Sequence, residues 1–175
     1  SLQQMGTLKL VALVAVTPPQ VLRADLARGA LDSLLLPNVP IAYSRNSTMA
    51  NADSNAKCFK SDYGKSSPHV NNTGVELIIR AMMASPDKSL VIMCTACLGD
   101  VAQVIATQGD LFVSKVKEVV LMGFAAKAVR RRSSIEPEES GIDADDELRR
   151  KVFKRCQERG IATVILGKEI ALGFP

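Results

Sequence analysis

Tryptophan is absent from this 175-residue chain, and aromatic residues make up only 4% of it. A core built without large rings must be aliphatic, drawn here from Val, Leu, Ile, Ala and Met, which suits parallel strands buried on both faces. The shortage of aromatics also removes the stacking surface that single-stranded nucleic-acid binders use. Cysteine is sparse, with only Cys58, Cys94, Cys97 and Cys156. Four cysteines over this length are too few for a disulfide scaffold and fit a reducing, intracellular compartment. No apolar run is long enough to span a bilayer; the stretch from Leu8 to Val16 reads as a buried strand instead. No secretion signal is recognisable at the start. The sequons at Asn46 and Asn71 are therefore read as chance occurrences.

A clean excess of one charge is lacking too. The net charge is +4, but the basic residues Arg130, Arg131, Arg132, Arg149, Arg150, Lys151, Lys154 and Arg155 are interleaved with Glu136, Glu138, Glu139, Asp143, Asp145, Asp146 and Glu147. A nucleic-acid surface shows a more uniform basic face, so nucleic acid is excluded as a partner class. Arg130-Arg131-Arg132-Ser133-Ser134 resembles a basophilic kinase site, but a solvated charge run is the simpler reading.

Hydrophobic residues make up 47% of the chain, enough for one core in one domain. Apolar runs alternate with helical patterns along its length. Lys9–Val16 predicts a strand stopped by Thr17-Pro18-Pro19. Gln20–Leu36 predicts an amphipathic helix ended by Pro37-Asn38, and Val39–Tyr43 a second strand. Residues 44–72 are polar and aperiodic. Thr73 is placed to cap a helix through Met82 that stops at Ser85-Pro86. Ser89–Met93, Val116–Met122 and Ile161–Leu166 predict further strands. Leu98–Thr107 predicts a helix, as does a segment capped by Asp143 or Asp145 that runs to Arg159 and ends at Gly160. This order predicts a mostly parallel, doubly wound, Rossmann-like α/β sheet with helices on both faces. Its site must then lie at the carboxyl ends of the strands. Those ends are Thr17-Pro18-Pro19, Tyr43-Ser44-Arg45, Cys94-Thr95-Ala96-Cys97, Met122-Gly123-Phe124 and Gly167-Lys168.

Cys94-Thr95-Ala96-Cys97 sits where a strand gives way to a helix. A Cys-x-x-Cys at that junction is the arrangement of a thiol redox protein, because a helix amino terminus lowers a thiol pKa. Two features speak for a plain strand end instead: Met93 stands where such motifs carry Trp, and no proline follows at a suitable site. A zinc site from Cys94, Cys97, Cys156 and His69 lacks the paired spacing that zinc knuckles need.

Three blocks in series carry a family resemblance. Thr95-Ala96-Cys97-Leu98-Gly99-Asp100 matches a Thr-Gly-Pro-Leu-Thr-Asn turn between strand and helix. VKEVVLM followed by Gly123-Phe124 matches a strand ending Met-Gly-Gly. Glu139-Ser140-Gly141-Ile142-Asp143 matches Glu-Phe-Asn-Ile before a helix. Further upstream, Val39-Pro40-Ile41-Ala42-Tyr43 looks like a Pro-Val-Tyr strand, and His69-Val70-Asn71-Asn72-Thr73 loosely like His-Gly-x-Asp-Gly. Together these resemble the inosine-uridine-preferring nucleoside hydrolases over nearly the whole chain.

The resemblance implies a calcium-dependent hydrolase fold, and the departures imply lost chemistry. The family's amino-terminal Asp motif would stand before Ser1, and its later His-Asp pair after Pro175, so 1–175 is expected to be one nucleoside-hydrolase-like domain without those parts. The family's ribose-binding Asn is Gly141 here. His69, Asn72 and Glu139 remain as candidate substrate-binding residues, with no catalytic and no metal-ligating residue assigned. The resulting expectation is a catalytically degenerate nucleoside-hydrolase-like protein, needing no cofactor, that acts as a binding or structural subunit with protein partners. Two alternatives stand beside it. One is a fragment of an active calcium-dependent ribonucleoside hydrolase; the other is a thiol redox protein using Cys94 and Cys97.

Overall fold

The computed structural model describes residues 8–46, 73–124 and 144–167. They belong to two compact units, one up to residue 84 and one from residue 85. Every strand pairing between named strands in them is parallel, so the α/β architecture expected from the alternation of runs is present.

In the first unit, β1 (Leu13–Ala15) lies beside β2 (Ile41–Tyr43). The crossover between them is α1 (Gln20–Ser33), and a single parallel bridge joins Tyr43 to Thr73. Then comes α2 (Gly74–Ala84). The core holds Ala15, Ala24, Leu31, Val39 and Ile41, with Leu10, Leu13, Ala27, Leu36 and Tyr43 packed around it.

The inner face of α1 differs from the one its hydrophobicity suggests. Ala24, Arg28 and Leu31 point inward, while Val21 and Leu22 are exposed. Small Ala24 lets the helix approach the strands, and Arg28 is admitted because its guanidinium is fully engaged. It donates to the carbonyls of Val39 (2.8 Å) and Leu36 (2.8 Å) and to Asp32 (2.9 Å). The helix also ends before the expected proline. Leu35 takes a left-handed backbone at φ 61°, so that Leu35 N–H bonds Asp32 O and Leu36 N–H bonds Leu31 O, the paired closure of a Schellman turn.

In the second unit the sheet order is β3-β4-β5, formed by Leu90–Cys94, Val116–Phe124 and Ala162–Gly167. Between β3 and β4 run α3 (Gly99–Thr107) and α4 (Gly109–Lys115). The sequence patterns do not reveal α4, because seven residues are too few to show a period. Buried Phe112 anchors it. The crossover to β5 ends in α5 (Ala144–Glu158). Asp143, one of its two expected caps, lies outside the described residues; Asp145, the other, is inside the helix. Gly160 terminates the helix as expected, at φ 66°, with Gly160 N–H on Gln157 O and Ile161 N–H on Cys156 O. Arg159 reaches back from that end to Asp110 at 3.5 Å, passing over Gly109, where a Cβ would meet the guanidinium.

Ile92 and Cys94 of β3 register with Val119 and Leu121 of β4 on the sheet face that carries Cys156 of α5, while Val91, Met93 and Val164 on the opposite face stay exposed. Among the described residues, no helix is long and apolar enough to cross a membrane.

Candidate functional site

The carboxyl ends of β3 and β4 form the part of the second unit where an α/β sheet places a ligand. At the end of β3, Cys94 is 7% exposed; Cys97 (6%) and Leu98 (1%) are turned inward as well. Thr95 between them is exposed and Ala96 half-buried. The turn therefore shows solvent the Thr95 side chain and backbone. Asp100, in the first turn of α3, is 2% exposed.

α5 brings a cation to this place. Arg149 donates from Nη1 to the carbonyl of Met122, near the end of β4, at 2.6 Å, and from Nη2 to the carbonyl of Ala96, in the turn after β3, at 3.5 Å. One guanidinium thus spans the ends of two adjacent strands. Arg149, Val152 and Cys156 share one helix face at spacings of three and four residues, and Val152 and Cys156 are both buried. A basic residue in register with an apolar stripe was the signal that marked Arg149; counting it with the surface charges hid it.

Burial works against thiolate formation at Cys94. Cys94, Cys97 and Cys156 are free and buried. Burial pushes the Cys94 thiol up to about 12; nearby Cys156 adds to the rise, and Arg149 partly opposes it. Burial also raises Cys156, against a hydrogen bond with Thr163. At neutral pH Cys94 is a thiol, whereas attack on a disulfide requires a thiolate.

The other candidate residues are not among those the structure describes. His69, Asn72 and Glu139 lie outside the described residues, as do Gly141 and Arg130–Arg132. In the first unit the strand ends are tied within the chain: Ser44 N–H bonds Ala15 O at 2.8 Å, and the Arg23 side chain of α1 donates from Nε to Pro18 O at 3.2 Å. Among the described residues, no three His, Cys, Asp or Glu side chains group as metal ligands.

Neither a known family pattern nor a curated protein matches this sequence. Solved structures do. The type III effector protein XopQ, solved in complex with adenosine diphosphate ribose, superposes with a TM-score of 0.71 at 27% identity over 96% of this chain. The effector protein XOO4466 gives 0.70 at 26% over 96%. The chain spans about half the length of both, 50% and 49%. The likeness supports the nucleoside-hydrolase-like fold, though not the inosine-uridine-preferring family in particular: this chain has a nucleoside-hydrolase-like α/β fold.

Proposed function

We propose that this chain is a nucleoside-hydrolase-like binding module without hydrolase activity, taking an ADP-ribose-type nucleoside ligand at its strand ends. The observation that carries the reading is the turn after β3. Its side chains Cys94, Cys97 and Leu98 are packed into the core, so the turn offers a ligand backbone groups and the Thr95 hydroxyl but no carboxylate. The ligand class is suggested by the effector of similar fold that was solved with adenosine diphosphate ribose. Hydrolysis of an N-glycosidic bond needs an activated water, a stabilised sugar cation and a protonated leaving base. The Gly141 replacement of a ribose ligand removes one contributor to the second need.

Binding without turnover suits a subunit of a larger protein assembly, and buried free thiols suit a reducing, intracellular compartment. The competing reading is an active calcium-dependent hydrolase whose remaining groups lie in the half of the fold not spanned here. An assay of inosine and uridine hydrolysis with calcium present separates the two. The expected outcome is no release of base above background, together with saturable binding of ADP-ribose by calorimetry. Turnover abolished by Glu139→Ala would restore the enzyme.

A further inference from the structure

The strands of the second unit lie in the order β3-β4-β5, all parallel, so both crossovers step the same way across the sheet. Parallel crossovers are right-handed, because right-twisted strands let the connecting helix pack back in that sense alone. Two such crossovers in one direction put α3, α4 and α5 on the same face, and α3 packs against both α4 and α5. The opposite face presents rows in register across the sheet. Val91, Glu118 and Ala162 form the first, Met93, Val120 and Val164 the second, and Met122 with Leu166 the third. Val91, Met93, Ala162 and Val164 are exposed, Met93 by 64%. Glu118 is the single charge among these positions. All-parallel sheets occur almost only with both faces covered, and a contiguous apolar patch rimmed by polar groups marks an interaction surface.

We propose that this open face seats one amphipathic helix from the half of a nucleoside-hydrolase-like fold that these 175 residues do not span. The inference stands on the fold and is independent of the ligand reading above. Size selects a helix over a second copy of the chain. Three strands span roughly 10 Å across, two spacings of about 4.8 Å, and the five residues of β3 and six of β5 run about 17–20 Å. One helix with its side chains is about 10 Å wide and covers that length in about 12 residues. The footprint of about 200 Å² falls well short of the roughly 800 Å² that each partner buries in a stable dimer. The two effectors of like fold carry about as much chain again beyond the part matched here, which is where such a helix would come from. The face also sets the helix's chemistry. Aliphatic side chains at spacings of three and four residues meet Met93, Val120 and Val164, and a Lys or Arg meets Glu118.

The test is photo-crosslinking in the protein as its own cells make it, with benzoylphenylalanine in place of Met93 and, as a control, in place of exposed Ala106 on α3. Mass spectrometry of the crosslinked peptides reads the product. The expected product from Met93 is a bond to one helical segment outside residues 1–175 whose aliphatic residues recur every three or four positions, with none from Ala106. Val164→Glu should lower the yield from Met93 at least tenfold. The same substitution in the purified chain of 175 residues should leave its melting temperature unchanged, because nothing in that chain covers Val164. A clear drop in that melt would show that the chain covers the face itself and would overturn the inference. A bond from Met93 to a second copy of residues 1–175, to lipid, or to no polypeptide would overturn it as well. None of these outcomes bears on ADP-ribose binding, which calorimetry decides separately.

Discussion

Arg28 donates from Nη1 to the carbonyl of Val39 at 2.8 Å, tying the middle of α1 to the chain entering β2. Its other guanidinium nitrogens take Leu36 O and Asp32, so the side chain closes the whole connection after α1. Arg28→Ala strips Val39 O of its donor and leaves Leu36 O with only the Val39 N–H at 3.3 Å, and an unsatisfied buried acceptor costs about 1–3 kcal/mol. The expected loss on urea denaturation is therefore roughly 2–4 kcal/mol. Asp32→Ala removes only a half-exposed partner and should cost less than about 1 kcal/mol. A loss no larger for Arg28→Ala than for Asp32→Ala would refute the tie.

The two left-handed helix ends should respond oppositely to substitution. Gly160, at φ 66°, suits its place, and Gly160→Ala should cost about 1 kcal/mol, since a Cβ is penalised there. Leu35 carries that penalty already at φ 61° and is 78% exposed. Leu35→Gly should raise stability by about 0.5–1 kcal/mol after the entropy cost of glycine. Thermal melts of both variants check the pair; a lower melting temperature for Leu35→Gly would count against it.

Thr73 and Glu76 form a reciprocal cap on α2. Thr73 N–H bonds the Glu76 carboxylate at 2.8 Å, and Glu76 N–H bonds Thr73 Oγ1 at 3.3 Å. Thr73→Ala should cost about 1 kcal/mol. The double variant with Glu76→Ala should cost less than the sum of the two single losses, because either change breaks the same box. Strict additivity would show that the two bonds act independently.

Cys94 sets an alkaline limit to stability. Its thiol is pushed up to about 12 in the folded chain, against 9.0 for an ordinary thiol. A raised folded pKa favours the protonated native form, so its contribution is complete below pH 9 and is lost as pH rises toward 12. Stability should fall on the order of 1 kcal/mol per pH unit across that window. Cys156 is shifted in the same direction. Cys94→Val should flatten the dependence, and Cys94 in the native chain should resist alkylation at pH 7. Rapid labelling of Cys94 at neutral pH would favour the thiol redox reading.

Local chemistry alone determined much of this protein. Short aliphatic runs alternating with helical patterns specify parallel strands, because each crossover helix covers a face of the sheet. Thr73 starts its helix and Gly160 stops another, because each answers backbone groups only a few residues away. The order of these elements already implies an α/β fold with its site at the strand ends. Which residues reach that site was decided by tertiary packing. Arg28 and Arg149 look like surface charges in the sequence, but helix docking turns them onto carbonyls 11 and 27 residues away. Cys94 looks in the sequence like half of a reactive pair, but in the fold burial takes away the water that its thiolate needs. A sequence records which groups a residue carries; whether a charge or a thiol is solvated, paired or silenced depends on neighbours that only the folded chain brings near.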